Sequence, residues 1–268
     1  MNRSLLCGLG LISLLLCGCV SGKACLPKPD LDTQRISTAS WTPSGTFTLG
    51  YQENLYKPRF NAVVNEDPVV LGDLVINLPS GFYLETWRSF GTDDNKWNSN
   101  KGDELSVFLG WKEKFCGLDI KTNLNYANAE PLNLVDNDVI AESLSVSKNF
   151  LVGECGGIHH LRIEARADYV SPLDLDEGAW IYLPGVHHTW QAPFTVQGVI
   201  FSEQITFQHN DDFGKFERGT ALQWSGGLSW KLTERITLNA PTLFIGIPLT
   251  DSGRDEFHSL GLSMSFSF

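Results

Sequence analysis

Between His160 and Asp168 the chain carries Arg162, Glu164, Arg166 and Asp168 at every second position, with the sign of charge alternating. On a strand that spacing puts all four on one face, because successive side chains point to opposite sides. Facing a confined aqueous space, opposed acidic and basic groups set a transverse field that selects small polar or cationic solutes. Packed against one another, the same groups would pair and fill the space. Asp119, Lys121, Asn123 and Asn125 repeat the spacing, and Asp73, Glu85, Gln223 and Asn239 are further candidates for the same face. The intervening Leu161, Ile163, Ala165 and Tyr169 are apolar, so the opposite face suits hydrocarbon, which the charges would not.

Nucleophilic and metal chemistry find little support. The candidates are His187-His188-Thr189, His258-Ser259, and His209 with Asp211 and Asp212. Neighbours along a strand face opposite ways, so His258 and Ser259 cannot form a base-nucleophile pair on one surface. His187 and His188 also alternate, whereas chelation along a strand needs ligands two residues apart. No Gly-x-Ser-x-Gly, Walker loop or His-Glu-x-x-His occurs. The expectation is a non-enzyme with no metal and no cofactor. The net charge of −11 leaves no basic face for nucleic acid.

The elements that must carry these residues are strands. Gly (25), Phe (16), Trp (8) and Tyr (6) are plentiful, and only two Met residues occur in 268. Period-two alternation recurs along the chain, as in Phe47, Leu49 and Tyr51, or Leu105, Val107, Leu109 and Trp111. About 12 such segments follow Ser44, each long enough to cross a bilayer when tilted. Connections alternate in length. Glu53 to Pro68 is long and polar, Pro79-Ser80 is short, Gly91 to Asp103 is long, and Glu113 to Gly117 is short. An up-and-down transmembrane barrel with long outer loops and short periplasmic turns has this alternation, and a soluble sandwich has no reason for it. The long connections hold most of the acidic excess. Trp111, Tyr126, Tyr169, Trp190, Trp224 and Trp230 fall near strand ends or on apolar faces, where aromatic girdles anchor a barrel.

At the N-terminus, Arg3 precedes an apolar run from Leu5 to Val20 and then small residues, the layout of a signal peptide. Two cleavage positions compete. One follows Ala24. The other precedes Cys19, where Leu16-Cys17-Gly18-Cys19 is similar to a lipoprotein box and lipidation of Cys19 would tether the chain. The organisation expected is a signal peptide over 1–24, a periplasmic segment over 25–43 and a barrel over 44–268. Cys116 and Cys155 both fall in short periplasmic connections, which an up-and-down order brings close enough for a disulfide.

The ending Leu260-Gly-Leu262-Ser-Met264-Ser-Phe266-Ser-Phe268 resembles the last strand of Gram-negative outer-membrane β-barrels, which ends in Phe behind apolar residues at alternate positions. Gly81-Phe82-Tyr83 with Trp87, and Gly102-Asp-Glu104 leading to Gly110, resemble a group of small porin-like barrels. The resemblance implies residence in the bacterial outer membrane, contact with its lipids, and recognition by the barrel-assembly machinery through Leu260, Leu262, Met264, Phe266 and Phe268. It fits a narrow passive channel whose lumen carries Asp119, Lys121, Arg162, Glu164, Arg166 and Asp168. The alternative is a closed barrel with a structural or adhesive role for its acidic outer loops.

Overall fold

The computed structural model describes residues 43–57, 62–92, 104–128, 138–151, 158–173, 178–191, 199–211, 219–250 and 256–268. The expected signal peptide, Cys19, Cys155 and most of the acidic outer connections lie outside these residues. The strands are β1 (Ser44–Gln52), β2 (Leu55–Lys57), β3 (Ala62–Asn65), β4 (Val69–Asn77), β5 (Phe82–Gly91), β6 (Glu104–Phe115), β7 (Leu118–Asn128), β8 (Val139–Leu151), β9 (Ile158–Pro172), β10 (Ala179–Tyr182), β11 (Gly185–Gln191), β12 (Val199–Asn210), β13 (Gly219–Lys231), β14 (Ile236–Pro248) and β15 (Phe257–Ser267).

Apart from the β2–β3 hairpin, each strand pairs antiparallel with its neighbours in sequence, and β15 returns to β1 from Thr46↔Ser267 to Gln52↔Gly261. The sheet therefore closes and has no edge, which is what a bilayer demands of strands. β10 and β11 are one barrel strand. Tyr182 lies opposite Ala167 and His209, Gly185 opposite Glu164 and Thr206, so three residues advance on all three strands and the register never slips. The interruption is Pro184, which has no N–H to give; its carbonyl still accepts from Phe207 N, and Leu183 N still donates to the Arg166 carbonyl. Counted this way the barrel has 12 strands, as the alternation predicted. The small hairpin β2–β3 is an addition inside a stretch expected to be only a polar connection.

Local chemistry explains the short turns. Between Phe115 and Leu118, paired across the hairpin, only Cys116 (φ 50°) and Gly117 (φ 77°) remain. Positive φ at both central positions is what a type I′ turn needs, and its twist matches that of the flanking strands. In β14 the register shifts between Asn239 and Thr242 against both β13 and β15. This bulge moves the inward face from Asn239 to Thr242 and Phe244.

Outward positions are apolar and open: Leu109, Leu124, Ile205 and Leu262 are each about half exposed. A soluble protein would cover such a surface, so a bilayer is the solvent it fits. Aromatic rings cluster towards both ends. Tyr169, Trp180, Tyr182 and His209 form a continuous ladder with centroid spacings of 5.2, 6.3 and 6.5 Å at the outer end. Trp111 Nε1 donates to the Ser80 carbonyl at 3.1 Å at the other end.

Candidate functional site

Alternation assigns the interior. Arg162, Glu164, Arg166 and Asp168 share one face of β9 and meet in pairs along it. Arg166 is bidentate on Asp168, with Nε to Oδ1 and Nη2 to Oδ2 both at 2.8 Å. Asp168 is fully buried, whereas about a third of the Arg166 side chain is open. Arg162 donates to Glu164 Oε2, which also lies 3.3 Å from His187 Nε2 on β11. The ladder therefore neutralises itself two residues at a time, each positive group lying next to its own counter-charge.

Lys121 reaches the same cavity from β7, with Nζ 4.9 Å from the centroid of the Tyr83 ring. That ring is set by a glycine: Tyr83 lies opposite Gly110, where a Cβ would run into the ring atoms. Asp119 sits apart, at the periplasmic end of β7. It accepts from Asn149 Nδ2 at 2.6 Å, lies 3.7 Å from Lys114 Nζ, and lines neither cavity described below.

Two cavities formed by described residues lie in the lumen. One, of about 270 Å³, is lined by Lys121, Arg162, Glu164, Arg166, His187 and Gln223, among others. The other, of about 370 Å³, has a mixed lining, with Thr48, Ser229, Asn239, Ser263 and Asp73 beside the apolar Leu71, Trp87 and Phe244. Hydrogen bonds organise this wall: Ser229 Oγ donates to Asn239 Oδ1 at 2.7 Å, and Asn239 Nδ2 donates to Ser263 Oγ at 3.1 Å. The two cavities share no lining residue. Gln223 and Asn239, both expected inside, lie on the adjacent strands β13 and β14 and line different cavities. Glu85 lies in register with Phe108 and Val75 on the inward face.

Several interior features escaped the sequence reading. His187, considered only for catalysis and metal chelation, is inward because β11 alternates it with Val186 and His188, and it caps the Arg162–Glu164 pair. An apolar cluster of Ala141, Val170, Ile181 and Leu183 sits inside the barrel beyond Asp168, so the interior is not polar throughout. Buried amides fill further space there, with Gln223 Nε2 donating to Gln208 Oε1 at 3.2 Å. Elsewhere the walls remain unsatisfied by protein. Among the described residues, Asp73 Oδ1, Tyr83 OH, Asn123 Oδ1 and Arg162 Nε are buried without a hydrogen-bond partner. Four such atoms facing one interior call for water in it.

Other candidates are placed as follows. Cys116 is exposed in its turn, and its expected partner Cys155 falls outside the described residues. Leu260 and Leu262 face outward, half exposed, on the strand that closes the barrel; Phe47 and Phe266 stack across that seam at 6.4 Å. His209 lies with Nδ1 3.1 Å from Thr220 Oγ1 and Nε2 3.5 Å from Asp211 Oδ1. Among the described residues, no three His, Cys, Asp or Glu side chains are grouped to hold a metal ion.

No family model matches the sequence, and no curated protein matches it. Solved structures do. The chain is similar to the NanC porin, at 12% identity and a TM-score of 0.50, with 84% of this chain and all of that one covered. It is also similar to the KdgM porin crystallised with disordered oligogalacturonate (10% identity, TM-score 0.49, 84% and 99% covered). An outer-membrane channel from Pseudomonas putida F1 matches at 15% identity and a TM-score of 0.46, with 86% and 97% covered. At these identities the likeness is one of fold, and it agrees with what closure, alternation and the apolar exterior show independently. The chain is a closed 12-strand β-barrel of the bacterial outer-membrane type.

Proposed function

We propose that the protein is a narrow passive channel for small polar solutes. The observation that carries this reading is the pair of internal cavities of mixed lining, on whose walls Asp73 Oδ1, Asn123 Oδ1 and Arg162 Nε are buried without a protein partner and are open to water or a polar solute. The fold shared with porins agrees with it. Because Arg162–Glu164 and Arg166–Asp168 are each paired, the charged wall presents a mixed-sign surface and not a block of one sign. Small uncharged, zwitterionic or cationic solutes suit such a wall. The cation preference expected from the sequence then rests on the acidic groups that stand opposite, Asp73 and Glu85, together with Glu164.

Liposome swelling tests the reading. Vesicles carrying the folded protein should swell in isotonic glycine or a small sugar, and progressively less as the solute grows. Swelling no faster than in protein-free vesicles would instead favour the closed barrel with a surface role.

A further inference from the structure

The outward face of β9, β11 and β12 carries a polar chain in the middle of apolar neighbours. His188 Nδ1 lies 3.0 Å from Glu203 Oε1, and His188 Nε2 lies 3.1 Å from His159 Nδ1. Their partners in register are diagnostic of the side they occupy. His188 lies between Leu161 and Glu203, while His187, one residue earlier, faces the lumen with Arg162 and Gln204. Along β12, Glu203 is flanked on the same face by Phe201 and by Ile205, which is half exposed; along β11, His188 is flanked by Val186 and Trp190. His159 stacks on Trp190 at 5.9 Å. A carboxylate and two imidazoles on the lipid side of a barrel, above an interfacial Trp, are costly in hydrocarbon, and intramembrane ionisable groups of this kind mark partners or function.

The patch has a direction. Lys148 lies on the outward face of β8, held over the Phe150 ring at 5.5 Å and opposite Ile163 of β9. Around the barrel the order is therefore Lys148, His159, His188, Glu203, basic at one edge and acidic at the other. Two copies in one membrane share an orientation, so a twofold axis between them runs along the bilayer normal and exchanges left for right while keeping depth. That operation brings the Lys148 edge of one copy to the Glu203 edge of the other, twice. It also removes the polar chain from lipid. A lipid headgroup could meet Glu203 alone but would have no reason to follow the charge order across three strand spacings.

We propose that this face of β8, β9, β11 and β12 is the interface of a homodimer, with a second copy of this chain as its occupant and Lys148 and Glu203 paired across the axis. The proposal is independent of whether the lumen conducts.

The test is charge reversal with rescue on the full-length folded protein. Its mass in mild detergent is measured by light scattering after size exclusion, with strand content followed by circular dichroism. Wild type should run at twice the protomer mass, and E203K and K148E should each run as folded monomers. The double variant E203K/K148E should recover the dimer. A wild type that is monomeric over a wide range of detergent, or a dimer untouched by either single reversal, overturns the proposal. So does a folded double variant that stays monomeric. Monomers that carry phosphatidylethanolamine in native mass spectrometry, and lose it in E203Q, would assign the patch to lipid and overturn it as well.

Discussion

Arg166 and Asp168, two residues apart on β9, close on each other in a bidentate pair at 2.8 Å on both arms, with Asp168 completely shielded. Side chains at i and i+2 of a strand share a face, so a sequence of alternating sign on a buried strand can neutralise itself without help from a neighbour. The pair is also the floor of the apolar cluster above it, since Asp168 lies opposite Ile181 and Ser143.

Replacing Asp168 by Ala leaves the Arg166 guanidinium facing an apolar layer without its counter-charge. Breaking a buried pair costs about 3–5 kcal/mol, and the partial exposure of Arg166 lowers the expectation here to about 2 kcal/mol. Urea unfolding in detergent should show that loss. It should be largely restored in the double variant D168A/R166L, which removes both charges.

Gly110 is held to its identity by the Tyr83 ring. Gly110→Val should cost about 1–3 kcal/mol by overpacking, displace the ring and release Lys121 from it. Tyr83→Ala in the same chain relieves the clash, so a double-mutant cycle should give a coupling of about 1 kcal/mol or more. Strictly additive losses would show that ring and glycine do not meet.

Cys116 and Cys155 should be linked in protein recovered from an oxidising compartment. Non-reducing mass spectrometry should then show a mass 2 Da below the reduced form, as loss of two hydrogens requires, and no labelling at the exposed Cys116 until reductant is added. By the chain-entropy estimate, a loop of about 40 residues adds roughly 4 kcal/mol. Cys155→Ser should lower the unfolding midpoint and leave Cys116 reactive throughout.

The barrel was legible because its information is local and repeated. Leu260, Leu262, Met264, Phe266 and Phe268 declare one face of β15 outright, and the two-residue turn at Cys116-Gly117 is a chemical signature. Inward residues on β7 and β9 follow from the same parity. What sequence could not supply was pairing. Nothing local says that Arg166 turns to Asp168, that His187 reaches Glu164, or that Asp119 is taken by Asn149 at the rim. Pro184 has no N–H, yet β10 and β11 together are one of the segments the alternation counts, because both neighbouring registers run through it. The outward His188 and Glu203 were missed because each is a single polar residue in an apolar series, visible as a group only once three strands are aligned.

The central claim is conduction through the lumen, and single-channel recording in a planar bilayer tests it most directly. The folded protein should give steady openings, with a reversal potential of modest cation preference under a salt gradient, and Glu164→Gln should move that potential towards zero. A folded, inserted protein that passes no current would contradict the account, and a conducting one whose selectivity ignores Glu164 would remove the β9 ladder from the solute path.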